Sequence, residues 1–320
     1  MRAEPGGVLT RVAASHVRVG TFEYFYRQGN NEAVRALADY VIDRHYPHVA
    51  DADNPYHALL EEVAAHTADL IAQWLLVGFI HGVMNTDNVS IAGETIDYGP
   101  CAFMDSYNPA TVYSSIDHGG RYAYNRQPQV GFINCQYLAN ALLPIMDEDT
   151  VRRGLRRYET AYNEHFKHQM LAKLGLEEAD GSDMGLIMDT FSMLHEHHVD
   201  YTRFFRGLSN LHDHGTAPVR DLFADRSVAD EWLERYEARL QKETRGHDER
   251  EYTMRRVNPK YILRNYLAQQ VILEAQNGDY EPMKELLKVL EKPFDEQPEY
   301  EKYAALPPDW GKHLNISCSS

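Results

Sequence analysis

Asn88 and Asp97 lie nine positions apart in the run HGVMNTDNVSIAGETIDYGP, from His81 to Pro100. An amide oxygen and a carboxylate are hard donors of the kind Mg²⁺ accepts beside waters and phosphates. If Asn88–Ile91 and Thr95–Tyr98 are two short strands about a turn at Gly93, their hairpin brings both side chains to one ion. The plainer alternative is an Asn and an Asp in turns, where both residues are common. The flanking His-Gly and Tyr-Gly weaken that alternative. Asp87 adjoins Asn88. It has the chemistry of a proton acceptor or of a partner to metal-bound water, and its plain role is a turn or capping carboxylate. Arg11 and Arg18 stand seven apart in LTRVAASHVRVGTF and carry planar forks that match phosphate oxygens. Taken alone, they read as two surface arginines.

Other clusters carry less. HEHH at 195–198 is the densest group of histidines, but it lacks the HExxH spacing that puts two imidazoles and a base on one helical face. His81 and His16 read as structural. Cys101, Cys135 and Cys318 fit no metal motif and are too few for a disulfide framework.

These residues need a scaffold, and 320 residues with 43% apolar content supply a sizeable core. With 32 basic and 48 acidic side chains the net charge is −16, which disfavours nucleic acid or an anionic membrane as partner. The longest apolar run, Trp74 to Ile80, is too short to span a bilayer, and a reducing cytoplasm is the expected location. The segment before Arg27 is expected as strand or irregular structure. Asn31 caps an expected helix to about Arg44. Pro55 opens a long one to about Gly78, with Leu59, Leu60, Val63, Leu70, Ile71 and Leu75 at helical spacing. Beyond Pro128 the periodicity predicts helices near 129–143, 150–174, 184–197, 227–244, 259–276 and 281–290, the fifth capped by Asn258-Pro259. Arg264 is expected to tie that helix to the body. Gln241–Arg250 reads as a solvated charged loop or helix end.

Long helix, polar loop, small hairpin, then Asp-x-Gly is the order of a protein-kinase C-lobe. One residue departs from it. A kinase places its catalytic aspartate two positions after the histidine, where this chain has Val83. The expected class is therefore mostly α, a kinase-like C-lobe with a short β-hairpin at the metal site and a helical C-terminal extension. Residues 1–127 would hold the catalytic portion and residues 128–320 the helical continuation and tail.

The blocks PGGVLTRVAASHVRVGTF, HGVMNTDNVSIAGETIDYGPCAFMDSYNP, GRYAYNRQP, MRRVNPKYILRNYLAQ, PFDEQPEY and the terminal PPDW and SCSS are distributed from residue 5 to residue 320. Together they resemble the selenoprotein O family, kinase-fold protein adenylyltransferases. The resemblance implies ATP held flipped relative to kinases, so that the α-phosphate faces the acceptor. AMP would pass to Ser, Thr or Tyr hydroxyls of target proteins. Val83 is then no defect. The resemblance makes Asp87 the proton acceptor, Asn88 and Asp97 the ligands of Mg²⁺ or Mn²⁺ with Asp97 also near the nucleotide, and Arg11 and Arg18 the phosphate contacts. It also implies an N-terminal lobe with a Gly-rich loop and a lysine ahead of PGGVLTR, so the sequence resembles a member truncated of that lobe, with weakened ATP binding expected. Cys318 matches the place of a redox-active selenocysteine in some members, with Cys101 as its candidate partner. Two rival readings are an atypical kinase and an inactive pseudokinase-like scaffold.

Overall fold

The computed structural model describes residues 7–178, 180–312 and 314. Their helices are α1 (Val19–Arg27), α2 (Asn31–His45), α3 (Pro55–Leu76), α4 (Gln127–Leu142), α5 (Glu148–Lys173), α6 (Asp183–Glu196) and α7 (Tyr201–Leu208). There follow α8 (Leu211–His214), α9 (Ala217–Arg220), α10 (Arg226–Leu240), α11 (His247–Val257), α12 (Asn265–Gln276) and α13 (Glu281–Leu290). The two named strands are β1 (Phe79–Ile80) and β2 (Ala102–Phe103), paired antiparallel with Phe79 opposite Phe103. The mostly α class therefore holds. The chain divides into two compact units.

The first unit holds the described residues up to 70 together with 85–97 and 131–159. Its core follows from helical periodicity. Val34, Ala38 and Val41 of α2 recur at i, i+4 and i+7 and are buried. The Asn30 side chain caps this helix by accepting from Ala33 N–H at 3.0 Å. Leu59, Leu60 and Val63 of α3 and Val19 and Phe22 of α1 join the same cluster. So do Val89 and Ile91, from the stretch that carries Asp87 and Asn88. Burying a side chain of that size stabilises by about 1.5–3 kcal/mol. The polar loop is thus anchored by its own apolar residues.

The second unit comprises residues 71–84, 98–130 and the described residues from 160 onward. Its centre is aromatic. Tyr107 stacks on Phe191 at 5.2 Å and on Tyr201 at 5.8 Å, and the Tyr124 and Tyr201 hydroxyls both donate to the Leu75 carbonyl. A second cluster gathers Tyr261, Tyr266, Leu267, Leu286 and Val289 around α12 and α13.

Four local expectations are corrected. The segment before Arg27 ends in the helix α1 rather than in strand. The cap of α2 is Asn30 rather than Asn31, whereas the charged stretch at 241–250 is loop and helix end as expected, with α11 beginning at His247. A helix stands at Tyr201–Leu208, where none was expected. Asn258-Pro259 starts no helix: α12 begins at Asn265, and Asn258 is the C-cap of α11. The Asn258 amide is fully engaged elsewhere, accepting from Lys173 Nζ at 2.7 Å and donating to the Lys173 carbonyl and Ser209 Oγ at 2.9 Å each.

Candidate active site

Three segments of the first unit build the site: residues 11–21, 86–91 and 93–97. Backbone pairing sets their register. Val19 N–H donates to the Val89 carbonyl at 3.0 Å, Ile91 N–H donates to the Val17 carbonyl at 3.2 Å, and Arg18 and Ser90 form an antiparallel bridge. Thr86–Asn88 makes a single 3₁₀ turn, closed by Asn88 N–H on the Asn85 carbonyl at 2.9 Å. That turn leaves Asp87 exposed and Asn88 half-buried.

Of the expected hairpin at 88–98, one antiparallel bridge forms, Val89 with Thr95. Asn88 precedes it by one residue and Asp97 follows it by two, so the two proposed ligands flank the same bridge. The turn requires Gly93, at φ +69°, because a Cβ there would stand 2.8 Å from the His66 Cβ. The pairing stops short of Tyr98 because Asp97 takes the left-handed conformation, φ 61°. Only a few per cent of non-glycine residues do so, and such strain clusters at functional sites.

The two arginines reach the two acidic positions. Arg11 Nη2 lies 3.3 Å from Asp97 Oδ1, with both side chains about two-fifths exposed. Arg18 Nη1 donates to the Asp87 main-chain carbonyl at 3.1 Å, and its buried Nε has no partner among the described residues. The site therefore pairs Arg11 with Asp97 and Arg18 with the Asp87 turn, which also carries Asn88. Sequence reasoning missed two supports. Thr21 Oγ1 accepts from Arg18 N–H at 3.1 Å and fixes the start of α1; its spacing from Arg18 is that of a capping pair. Glu94 Oε2 accepts from Ala14 N–H at 2.9 Å and holds the segment between the arginines, a contact nothing in the sequence signals.

Among the described residues no group of three or more His, Cys, Asp or Glu is arranged to hold a metal. Mg²⁺ is commonly held by one or two protein oxygens, with phosphates and waters completing the shell. Asn88 and Asp97 are donors of that kind. The HEHH histidines are all exposed and form no metal cluster.

His81 has the anchoring role expected of it, within the second unit. It is fully buried, its backbone N–H donates to Gln127 Oε1 at 3.0 Å, and its ring packs on Trp74 at 5.3 Å. Gln127 in turn donates to the Phe79 carbonyl at 2.9 Å. Cys135 is buried, its thiol pushed up to about 12 by burial, and Cys101 is half-buried. Cys318 lies outside the described residues.

No helix among the described residues is long and apolar enough to cross a membrane. The profile described as protein adenylyltransferase SelO matches residues 2–291. The chain is 50% identical over 321 residues to a protein nucleotidyltransferase YdiU of Herminiimonas arsenicoxydans, covering 99% of this chain and 64% of that protein. Proteins of the same name from Myxococcus xanthus and Vibrio cholerae are each 48% identical, over 99% and 100% of this chain and 66% of their own length. The chain thus spans a little under two thirds of the length of these relatives. It belongs to the protein adenylyltransferase SelO family.

Proposed function

We propose that this chain carries the catalytic wall of an ATP-dependent protein adenylyltransferase, on a scaffold read as a kinase-like C-lobe. Residues within 1–127 supply the chemistry. The observation that carries the reading is the convergence of Arg11 on Asp97, itself in left-handed backbone, and of Arg18 on the Asp87 turn. Family membership and the YdiU relatives' names support the same activity.

In this reading the hydroxyl oxygen of a Ser, Thr or Tyr on a target protein attacks the α-phosphorus of ATP. The new O–P bond forms as the bond from the α-phosphorus to the bridging oxygen breaks. Pyrophosphate leaves with that electron pair, and the hydroxyl proton passes to the Asp87 carboxylate. Arg11 and Arg18 face the charge that grows on the phosphoryl oxygens. Asn88 and Asp97 would hold Mg²⁺ or Mn²⁺, which supplies charge neutralisation and orientation of the phosphates. Arg11 must then share or release Asp97. An exposed pair of this kind is worth only about 0–1 kcal/mol, so an incoming nucleotide and ion exchange it at small cost.

The test is incubation of the purified protein and a protein acceptor with ATP labelled at the α or the γ position. Label transferred from the α position supports AMP transfer, and transfer from the γ position alone replaces the reading with a kinase. In the active protein Asp87→Ala is expected to lower the rate by roughly 10²–10⁴-fold with nucleotide binding retained. Turnover near the parent level would remove Asp87 from the reaction.

A further inference from the structure

Gly20 occupies the first turn of α1, and the space where its side chain would stand is filled by Asp87. A Cβ built on Gly20 lies 2.4 Å from Asp87 Oδ1, 3.1 Å from its Cγ and 3.3 Å from its backbone nitrogen. The first distance is one that real Cβ atoms essentially never show. Gly20 has no positive φ to account for a glycine there, so its conformational freedom is not the reason for it. The absence of a side chain is.

The two backbones have little room to part. Val19 N–H donates to Val89, Arg18 bridges Ser90, Ile91 N–H donates to Val17, and the Arg18 guanidinium donates to the Asp87 carbonyl itself. These contacts join residues 17–19 to 89–91 and to Asp87 itself, immediately beside the Gly20–Asp87 approach. Val19, Val89 and Ile91 are also buried in the core of the first unit. A methyl group at position 20 is therefore relieved at the softest point, the Asp87 carboxylate, which must swing by about 1 Å to reach ordinary van der Waals distance.

We infer that Gly20 is a positioning residue for AMP transfer: it leaves open the space in which the Asp87 carboxylate is held against the start of α1, facing the acceptor hydroxyl. The inference rests on the reading of Asp87 as proton acceptor. Gly20 itself touches no reacting atom. A catalytic group displaced by about 1 Å can lose on the order of 10²-fold in rate while substrate binding is untouched.

The experiment compares Gly20→Ala, Asp87→Ala and the double variant with the parent chain. Gly20→Ala is expected to lower kcat for AMP transfer roughly 10²-fold with KM for ATP unchanged, and its crystal structure is expected to show the Asp87 carboxylate rotated away from α1. Gly20→Ala turning over like the parent while Asp87→Ala is inactive overturns the inference and leaves the functional reading standing. Asp87→Ala turning over like the parent overturns the functional reading, and the inference with it. A crystal structure of Gly20→Ala with Asp87 unmoved overturns the inference whatever the activity. If Gly20→Ala is too unstable to crystallise, the double variant decides: introducing Gly20→Ala into the Asp87→Ala background must cost less stability than introducing it into the parent. Equal costs would mean that the Asp87 side chain is not what Gly20 accommodates.

Discussion

Arg11 and Arg264 each hold an aspartate, one in each unit, and the two contacts differ in kind. Arg11 meets Asp97 through one nitrogen at 3.3 Å, with about two-fifths of both side chains open to water. Arg264 is 1% exposed and grips Asp200 through two nitrogens, Nη1 at 2.7 Å and Nη2 at 3.3 Å, while also pairing with Asp105. Burial pushes the Asp105 carboxyl up, against the pull of Arg264. Removing one partner of a buried group like this strands charge in the interior, whereas an exposed pair is held loosely. An arginine meant to meet a ligand must be able to leave its resident partner. An arginine meant to fasten α12 to the Asp105 and Asp200 loops must not. Arg264 is architectural, as expected from its sequence context.

The sharpest test of the contrast is Arg264→Met. It leaves the buried Asp200 and the half-buried Asp105 without their cation, and the cost should be about 3–5 kcal/mol of unfolding free energy. Urea unfolding of the parent and variant measures it. A loss under about 1 kcal/mol would place Arg264 in the same class as Arg11 and dissolve the distinction.

Lys173 extends the buried side of the comparison, because it makes no ion pair among the described residues. Its Nζ donates to Asn258 Oδ1 at 2.7 Å and stands 4.3 Å from the centroid of the Phe205 ring. Burial pulls its ammonium down to about 7. An unfolded lysine titrates near about 10.4. Between these values the unfolded chain binds more protons than the folded one, so this group makes stability rise with pH, by up to about 1.4 kcal/mol per unit. The contribution is complete above about pH 10.4 and is lost as pH falls to about 7. Lys173→Met should flatten that rise. Parallel pH profiles of stability for parent and variant would mean that Lys173 stays charged inside the fold.

Much of the long-helix framework was legible because it rests on periodicity. The Val34, Ala38, Val41 face of α2 and the Leu59, Leu60, Val63 face of α3 are written in the spacing and are buried as expected. The misses have a common cause: a residue read by its local propensity was engaged by a distant partner. Asn258 followed by proline carries a helix-start signal, yet its amide serves Lys173 and Ser209, more than 45 positions away in sequence. The segment before Arg27 suggests strand or irregular structure, yet Thr21 closes on Arg18 and starts a helix. At the site, the types of Asp87, Asn88 and Asp97 could be read as chemistry, and resemblance brought in Arg11 and Arg18. What stayed hidden was Glu94 behind Ala14 and the carboxylate seated over Gly20, because both depend on backbone pairing between residues some 70 to 80 positions apart.

The smallest expected stability effect belongs to Arg11→Ala, and it closes the comparison from the exposed side. Asp97 remains solvated when Arg11 is removed, so no buried charge is stranded, and stability should change by less than about 1 kcal/mol. Turnover should respond more strongly. A charge-assisted hydrogen bond to a phosphate is worth about 1.5–3 kcal/mol, which corresponds to a loss of roughly 10–10²-fold in kcat/KM. Part of that loss should reappear on raising salt in the parent, because an exposed guanidinium is screened within a Debye length of about 8–10 Å at 0.1–0.15 M. Arg11→Lys should recover the charge but not the planar fork, and so fall between parent and alanine. Measured together, urea midpoint and AMP transfer separate the two roles. An Arg11→Ala protein that is destabilised by about 3 kcal/mol, as for a buried pair, yet transfers AMP at the parent rate would make Arg11 a structural residue, and the phosphate role would rest on Arg18 alone.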